Sequence, residues 1–414
     1  MKTTQNNAAP TYRSLKTASL LSRHPAEKTR IFSRQHLRLA FLALLTVGTF
    51  VSLVIPAAAG AITVSQLAGS WQATLVIDGG CGQGTKLVVF KLNSTGAGSA
   101  AALYHTPACG NNSQAGTIQI TALGPEGAGT AQLIFGSTIF NFYIQVSRNI
   151  QVFNMVDIYD SGNYEEGSAI RRPASIALAK LAGQWEAGLF LHGGCGLGTK
   201  QLIFSSFADG DEGVGSAFED YDTSGCGSNA EDGAIVNTVL NTNGSGTSQF
   251  NFGTTFNFNI QASPNGQVVN MVDISDAGNY EEGMAIVQDN STAATPTASQ
   301  LAGTWQATLF IDGGCGLGTK AVSFILASPL AGSDTAQGPA WETYHTQGCG
   351  NNTAAGTIQI TLDNSMGNGS GTAQLTFGST VFHFNIQVAA NAQIFNLVDV
   401  TDSVNYEEGS AIRQ

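Results

Sequence analysis

Oxygen donors recur three times along the chain at one spacing, Asp-x-x-Asp-x-x-Asn-x-Glu. The sets are Asp157, Asp160, Asn163 and Glu165; Asp273, Asp276, Asn279 and Glu281; and Asp399, Asp402, Asn405 and Glu407. Hard oxygen ligands on a turn are what Ca²⁺ requires, so calcium is the one cofactor this pattern would suit. The spacing is not that of an EF-hand, and Asp and Asn also favour turns by bonding their own backbone. Calcium site and plain turn both remain readings of the set.

Six cysteines fall two to each repeat, as Cys81 with Cys109, Cys195 with Cys226, and Cys315 with Cys349. His105 and His345 stand four residues before Cys109 and Cys349, which makes zinc a rival, but Asp222 occupies that place in the middle repeat. With so few nitrogen ligands, disulfides are the preferred reading. Each would close a loop of about 30 residues, worth ~3 kcal/mol in the chain-entropy model.

The glycine-rich stretch GGCGQGTK at 79–86 returns as GGCGLGTK at 193–200 and 313–320. A phosphate loop reads G-x-x-x-x-G-K-[ST] and opens a helix, whereas this one ends G-T-K between strands. Gly79, Gly80, Gly82 and Gly84 are expected instead to supply the positive φ of a tight hairpin. Glu165 and Glu166 suggest acid and base work, yet neighbours on a strand point to opposite faces and cannot flank one bond. No Ser or Cys accompanies a His and an acid at matching places in all three copies, and a non-enzymatic protein is expected.

The elements that carry these residues repeat as whole domains. LAGSWQATLVIDGGCGQGTK from Leu67 matches the segments from Leu181 and Leu301, at starts 114 and 120 residues apart. Each copy closes on a variant of NMVDIYDSGNYEEGSAIR. Repeats are placed at 62–172, 180–288 and 300–414, with linkers at 173–179 and 289–299; the second linker is rich in Ser, Thr, Ala and Pro and expected to be extended.

Within a repeat, period 2 dominates. FNFYIQV sets Phe140, Phe142, Ile144 and Val146 on one face against Asn141, Tyr143 and Gln145. Eight strands are expected in the first copy, near 70–77, 85–92, 101–106, 116–122, 129–135, 138–146, 150–158 and 164–171. Short connections and the penalty of open edges favour an all-β fold of three tandem antiparallel up-and-down eight-stranded barrels, with a sandwich or open meander as the alternative of the same periodicity. Counting turns puts the 1-2, 3-4, 5-6 and 7-8 connections at one end, so the paired cysteines can meet there. The Trp-to-Lys interval of 15 and the Asp-to-Tyr interval of 7 hold in every copy, whereas the cysteine separations of 28, 31 and 34 place the variation at the opposite end.

Gly69-x-Trp71 on the first strand, with Arg171 ending the last, resembles the lipocalin and avidin superfamily of calyx barrels. That resemblance implies a tryptophan at the closed end with the late arginine across it, hence Arg171 on Trp71 and Arg413 on Trp305. The middle copy departs, since Trp185 faces Val287. A set of tryptophans walling a ligand site is not visible, so the family's ligands do not carry over.

Residues 1–60 hold 8 of the 17 Lys and Arg and one acid, and residues 39–59 are uncharged. This is the layout of a signal peptide, favoured over an uncleaved membrane anchor. The rest, with 9 basic and 28 acidic residues, is then extracellular, surface-exposed or periplasmic, and its acidity excludes nucleic acid as a partner. Two functions stand: a binding protein for a small apolar ligand in the barrel or a glycan or protein at its rim, and a structural or adhesive repeat with filled barrels.

Overall fold

Alternating stretches become strands throughout the computed structural model, which describes residues 60–414 except 161, 277, 289–295, 331, 364, 366 and 402–404. The export segment expected at 1–60, all but its last residue, and residues 289–295 of the second linker lie outside the described residues. The first copy contributes β1 (Gly69–Asp78), β2 (Gly84–Leu92), β3 (Ala97–Thr106), β4 (Gly110–Leu123), β5 (Ala128–Phe135), β6 (Thr138–Val146), β7 (Val152–Val156) and β8 (Tyr164–Arg171). The second contributes β9 (Gly183–Gly193), β10 (Gly196–Asp209), β11 (Glu212–Thr223), β12 (Gly227–Leu240), β13 (Ser245–Asn251), β14 (Thr255–Ala262), β15 (Val268–Val272) and β16 (Tyr280–Gln288). The third contributes β17 (Gly303–Asp312), β18 (Gly318–Leu326), β19 (Thr335–Thr346), β20 (Gly350–Leu362), β21 (Ser370–Phe377), β22 (Thr380–Gln387), β23 (Ile394–Val398) and β24 (Tyr406–Arg413).

Each set pairs antiparallel with its sequence neighbours and closes first strand on last, giving three closed eight-stranded up-and-down barrels. Closure removes every edge, and the inward face of each strand becomes the core. Phe140, Phe142, Ile144 and Val146 are buried in the first lumen with Trp71, Phe90 and Leu133. Only β4 is much longer than expected: its first half, GNNSQAG, is exposed and polar, so it carries no hydrophobic alternation to read.

One end of each lumen is sealed. A 3₁₀ turn, Val64–Leu67 in the first copy, lays Leu67 over the barrel, and Trp71 Nε1 donates to the Leu67 carbonyl at 2.9 Å. Trp185 and Trp305 repeat the bond to Leu181 and Leu301. Trp71 sits opposite Arg171 in the β1–β8 register, with the guanidinium 5.8 Å from the indole and donating to the Gln66 and Ala68 carbonyls at 3.2 and 2.6 Å. Arg413 opposes Trp305 and reaches the Gln300 and Ala302 carbonyls, while Val287 stands opposite Trp185. The linker at 173–179 is not a free tether, because Ile176 is buried and its N–H bonds the Thr242 carbonyl at 2.8 Å.

The barrels also close on one another. Residues 59–414 form one compact unit, and β7, β15 and β23 are buried on both faces. Thr85, Thr199 and Thr319 donate to the carbonyls of Asp273, Asp399 and Asp157, so the first barrel grips the second, the second the third, and the third the first. Ser168 and Asn270 exchange two hydrogen bonds across the first contact, as do Ser410 and Asn154 across the last. An apolar cluster drawn from all three copies, including Ile170, Ile286 and Ile412, fills the junction. Within residues 60–414 the three barrels therefore contact one another in a closed cycle.

Candidate functional site

The end away from tryptophan is a cup, and strand parity builds its floor. On β2, Lys86 lies on the same face as Val88, Phe90 and Leu92, and so points inward; on β8, Glu165 shares its face with Gly167 and Ala169. The two meet as an ion pair inside the first barrel. Lys200 meets Glu281 at 3.1 Å and Glu219 at 2.9 Å in the second, and Lys320 meets Glu407 at 2.7 Å and Glu342 at 3.5 Å in the third. Each ammonium also lies over a lumen phenylalanine, at 4.1 Å from Phe140, 4.3 Å from Phe256 and 4.0 Å from Phe382.

Above the third floor lies a cavity of about 440 Å³, walled by Tyr344, Phe377 and Phe382 and rimmed by the Cys315 turn. The second cup holds about 270 Å³ above Lys200. Charge differs between copies, because Ala102 stands in the first barrel where Glu219 and Glu342 stand in the others. Burial lowers the Lys86 pKa and its single carboxylate partner does not restore it. Burial also disfavours the Lys200 ammonium, but Glu281 and Glu219 together outweigh it and raise its pKa. Glu219 and Glu342 are both pushed upward by burial, with the lysine opposing. In the third cup Glu407 Oε2 is buried with no hydrogen-bond partner.

The cysteines pair as the turn count requires, Cys81–Cys109, Cys195–Cys226 and Cys315–Cys349, with Cα separations of 5.3, 5.2 and 5.4 Å. Each disulfide ties the first hairpin turn to the third and so fixes one lip of the cup. The His105 ring bonds Asn111 and the Asp276 carbonyl of the next barrel, and His345 bonds Asn351 and the Asp160 carbonyl, while Cys109 and Cys349 are taken up in disulfides. The glycine expectation needs correcting. Within 79–84 only Gly82 has positive φ, at 77°, with Gly196 and Gly316 its counterparts. Gly84 is required for close approach, since a Cβ there would sit 2.2 Å from the His105 carbonyl, and one on Gly79 would sit 2.5 Å from Asn163 Oδ1.

The acidic sets divide rather than converge. Asp157 Oδ1 accepts the N–H groups of Tyr159 and Asp160 at 2.8 and 3.0 Å, and Asp273 does the same for Ser275 and Asp276. Asp399 accepts the Thr401 N–H at 2.9 Å. Asp160 and Asp276 hold Asn141 and Asn257, whereas Glu165, Glu281 and Glu407 turn inward to lysine. Asn279 and Asn405 line the cup mouths. Asp402 lies outside the described residues. These turns are capped by their own backbone and buried by the neighbouring barrel; burial pushes Asp157 up to about 8 and Asp273 to about 7.

Strand parity puts Glu166 on the face opposite Glu165, but assigns no site to it or to Glu282 and Glu408. Glu166, Glu282 and Glu408 face outward from their barrels and meet where the three copies converge, the one group among the described residues whose three acidic, Cys or His ligand atoms lie within 4.8 Å. Thr308 donates to Glu166 at 2.7 Å and Thr74 to Glu282 at 2.6 Å. Gly188 replaces that threonine beside Glu408. Burial holds all three carboxyls in the protonated direction, Glu282 to about 8; the Glu282 charge further raises Glu166, and Glu166 and Glu282 together raise Glu408. The signal was present in strand parity, which sets Glu166 opposite to Glu165.

No family profile matches the chain, and no curated protein does. Among solved structures, one from Nostoc punctiforme, described as a protein with unknown function from the DUF3598 family, is 9% identical, covering 57% of this chain and 97% of its own at a TM-score of 0.20. A likeness of that extent assigns no function.

Proposed function

We propose that the chain is an exported, non-enzymatic binding protein whose barrels take small amphipathic ligands into their disulfide-bonded ends. The observation that carries this reading is the cavity of about 440 Å³ above Lys320, Glu342 and Glu407, walled by aromatic rings. A concave, mostly apolar space with a few convergent polar groups is the usual form of a ligand site. The sealed tryptophan end, crossed by Arg171 or Arg413, supports the resemblance to calyx barrels. Three disulfides and the uncharged run at 39–59 support export to an oxidising compartment. Glycan or protein capture at the rim is less favoured, because the turns that carry Asp157 and Asp273 are engaged by neighbouring barrels.

Soaking the purified chain with an anilinonaphthalene fluorophore tests the reading. Uptake of roughly one or two dye molecules per folded chain is expected for two open cups. The second reading, a structural array with filled barrels, is favoured by the packed stacks below each floor, such as Trp71 on Phe90 and Phe153. Absence of dye uptake by protein with intact disulfides would select it.

A further inference from the structure

The three cups share a scaffold but not a charge. In the first, one lysine faces one glutamate; in the second and third, one lysine faces two. With lysine and both carboxylates ionised, the floor of the third cup is one negative charge in excess. Asp312, partly buried at the mouth, adds another acceptor. Desolvating an acidic excess is costly unless something neutralises it. Lys320 cannot do so for both partners equally, being 2.7 Å from Glu407 and 3.5 Å from Glu342. The remaining oxygen of Glu407 is buried and accepts nothing, but so is Glu165 Oε2 in the first cup, so the second carboxylate, Glu342, is what sets the third floor apart. Excess negative charge at the floor of an aromatic-walled space calls for a positively charged donor.

We infer that the third cup binds a small organic ammonium, its charged head drawn to the Glu342 and Asp312 carboxylates of the lining and its apolar or aromatic body against Tyr344, Phe377 and Phe382. This rests on the reading of the cups as ligand sites and adds the chemistry of the ligand. Aromatic faces support a cation as well as an apolar chain, as the placement of Lys320 over Phe382 already illustrates. The first barrel does not share the preference. Ala102 removes the second carboxylate, and the Lys86–Glu165 pair is balanced. Copy identity along the backbone therefore hides a difference in specificity set by one side chain.

Titration of the purified full chain at pH 7 with phenethylamine, 2-phenylethanol and 3-phenylpropionate, followed by calorimetry and ligand-observed NMR, tests the inference. The amine should bind about tenfold or more tightly than the alcohol, and the acid most weakly. Glu342→Gln should weaken the amine by about tenfold while leaving the alcohol within about twofold. If that variant does not fold, Thr380→Arg at the exposed rim serves instead, adding positive charge and bulk at the mouth, and should weaken the amine most. Preference for the alcohol or the acid, or amine binding indifferent to both variants, overturns the ammonium inference and leaves the cup as a ligand site. Failure of all three probes to bind overturns the cup reading as well.

Discussion

A buried lysine between carboxylates shows how much one side chain decides in these barrels. Removing Lys320 as Lys320→Met would leave Glu342 and Glu407 buried without a cation, and loss of one partner from a buried pair costs about 3–5 kcal/mol. Urea denaturation at pH 7 should show a loss of that order, and the loss should shrink as pH falls toward 4, where the orphaned carboxyls protonate. A loss that does not change with pH would mean that packing over Phe382, not charge, is what Lys320 provides. The glutamates where the copies converge give the opposite kind of prediction. Glu282 titrates near 8 when folded and near the ordinary carboxylate value when unfolded, so between those values the folded state holds the extra proton. The stability it contributes is full below about pH 4.5 and is lost as pH rises through about 8, at about 1.4 kcal/mol per pKa unit separating the states. Melting temperature should therefore fall from pH 5 to pH 8.5, and Glu408→Gln, which removes one member of the triad, should flatten that slope. An equally steep slope in the variant would place the titration elsewhere.

Among elements, the hairpin turns and β8 carry the most information. Reducing the Cys315–Cys349 bond, or Cys315→Ser with Cys349→Ser, frees a lip of the third cup as well as a 34-residue loop. A stability loss of about 3 kcal/mol is expected, together with weaker dye uptake in that barrel; unchanged uptake would separate the disulfide from the shape of the mouth. Gly84→Ala should be more damaging than Gly80→Ala, because a Cβ at Gly84 meets backbone at 2.2 Å while Gly80 faces open space; chemical denaturation of the two variants checks it. Strand β8 could be read in advance, since YEEG alternates and its neighbours on each face follow from parity. What could not be read was that both faces are interior, one to the lumen and the other to the neighbouring barrels. Buried polar residues such as Ser168 and Asn270 give no periodic hydrophobic signal, so the interface was invisible although Asn154, Asn270 and Asn396 recur in all copies; Met284 stands in the middle copy where the others have Ser168 and Ser410.

At the scale of the molecule, the closed cycle of contacts couples what looked like three beads. Because Asp157, Asp273 and Asp399 each accept a threonine hydroxyl from a neighbouring barrel, no barrel can unfold without exposing part of the others. Calorimetry of the intact chain should show one cooperative transition; three separable transitions would refute the coupling. Repeats, period 2 and cysteine parity are local or pairwise properties, and these determined the all-β class, the three copies and the disulfide pairing, while closure into barrels was favoured over an open meander and the sealed end followed from the calyx resemblance. The tertiary structure alone decided where the outward faces go: that the acidic turns are gripped by the next barrel, that Glu166, Glu282 and Glu408 meet where the copies converge, and that Ala102 makes one floor unlike the other two. Those facts depend on the packing of surfaces from distant copies, and nothing in the order of residues along a single strand encodes which foreign surface it will face.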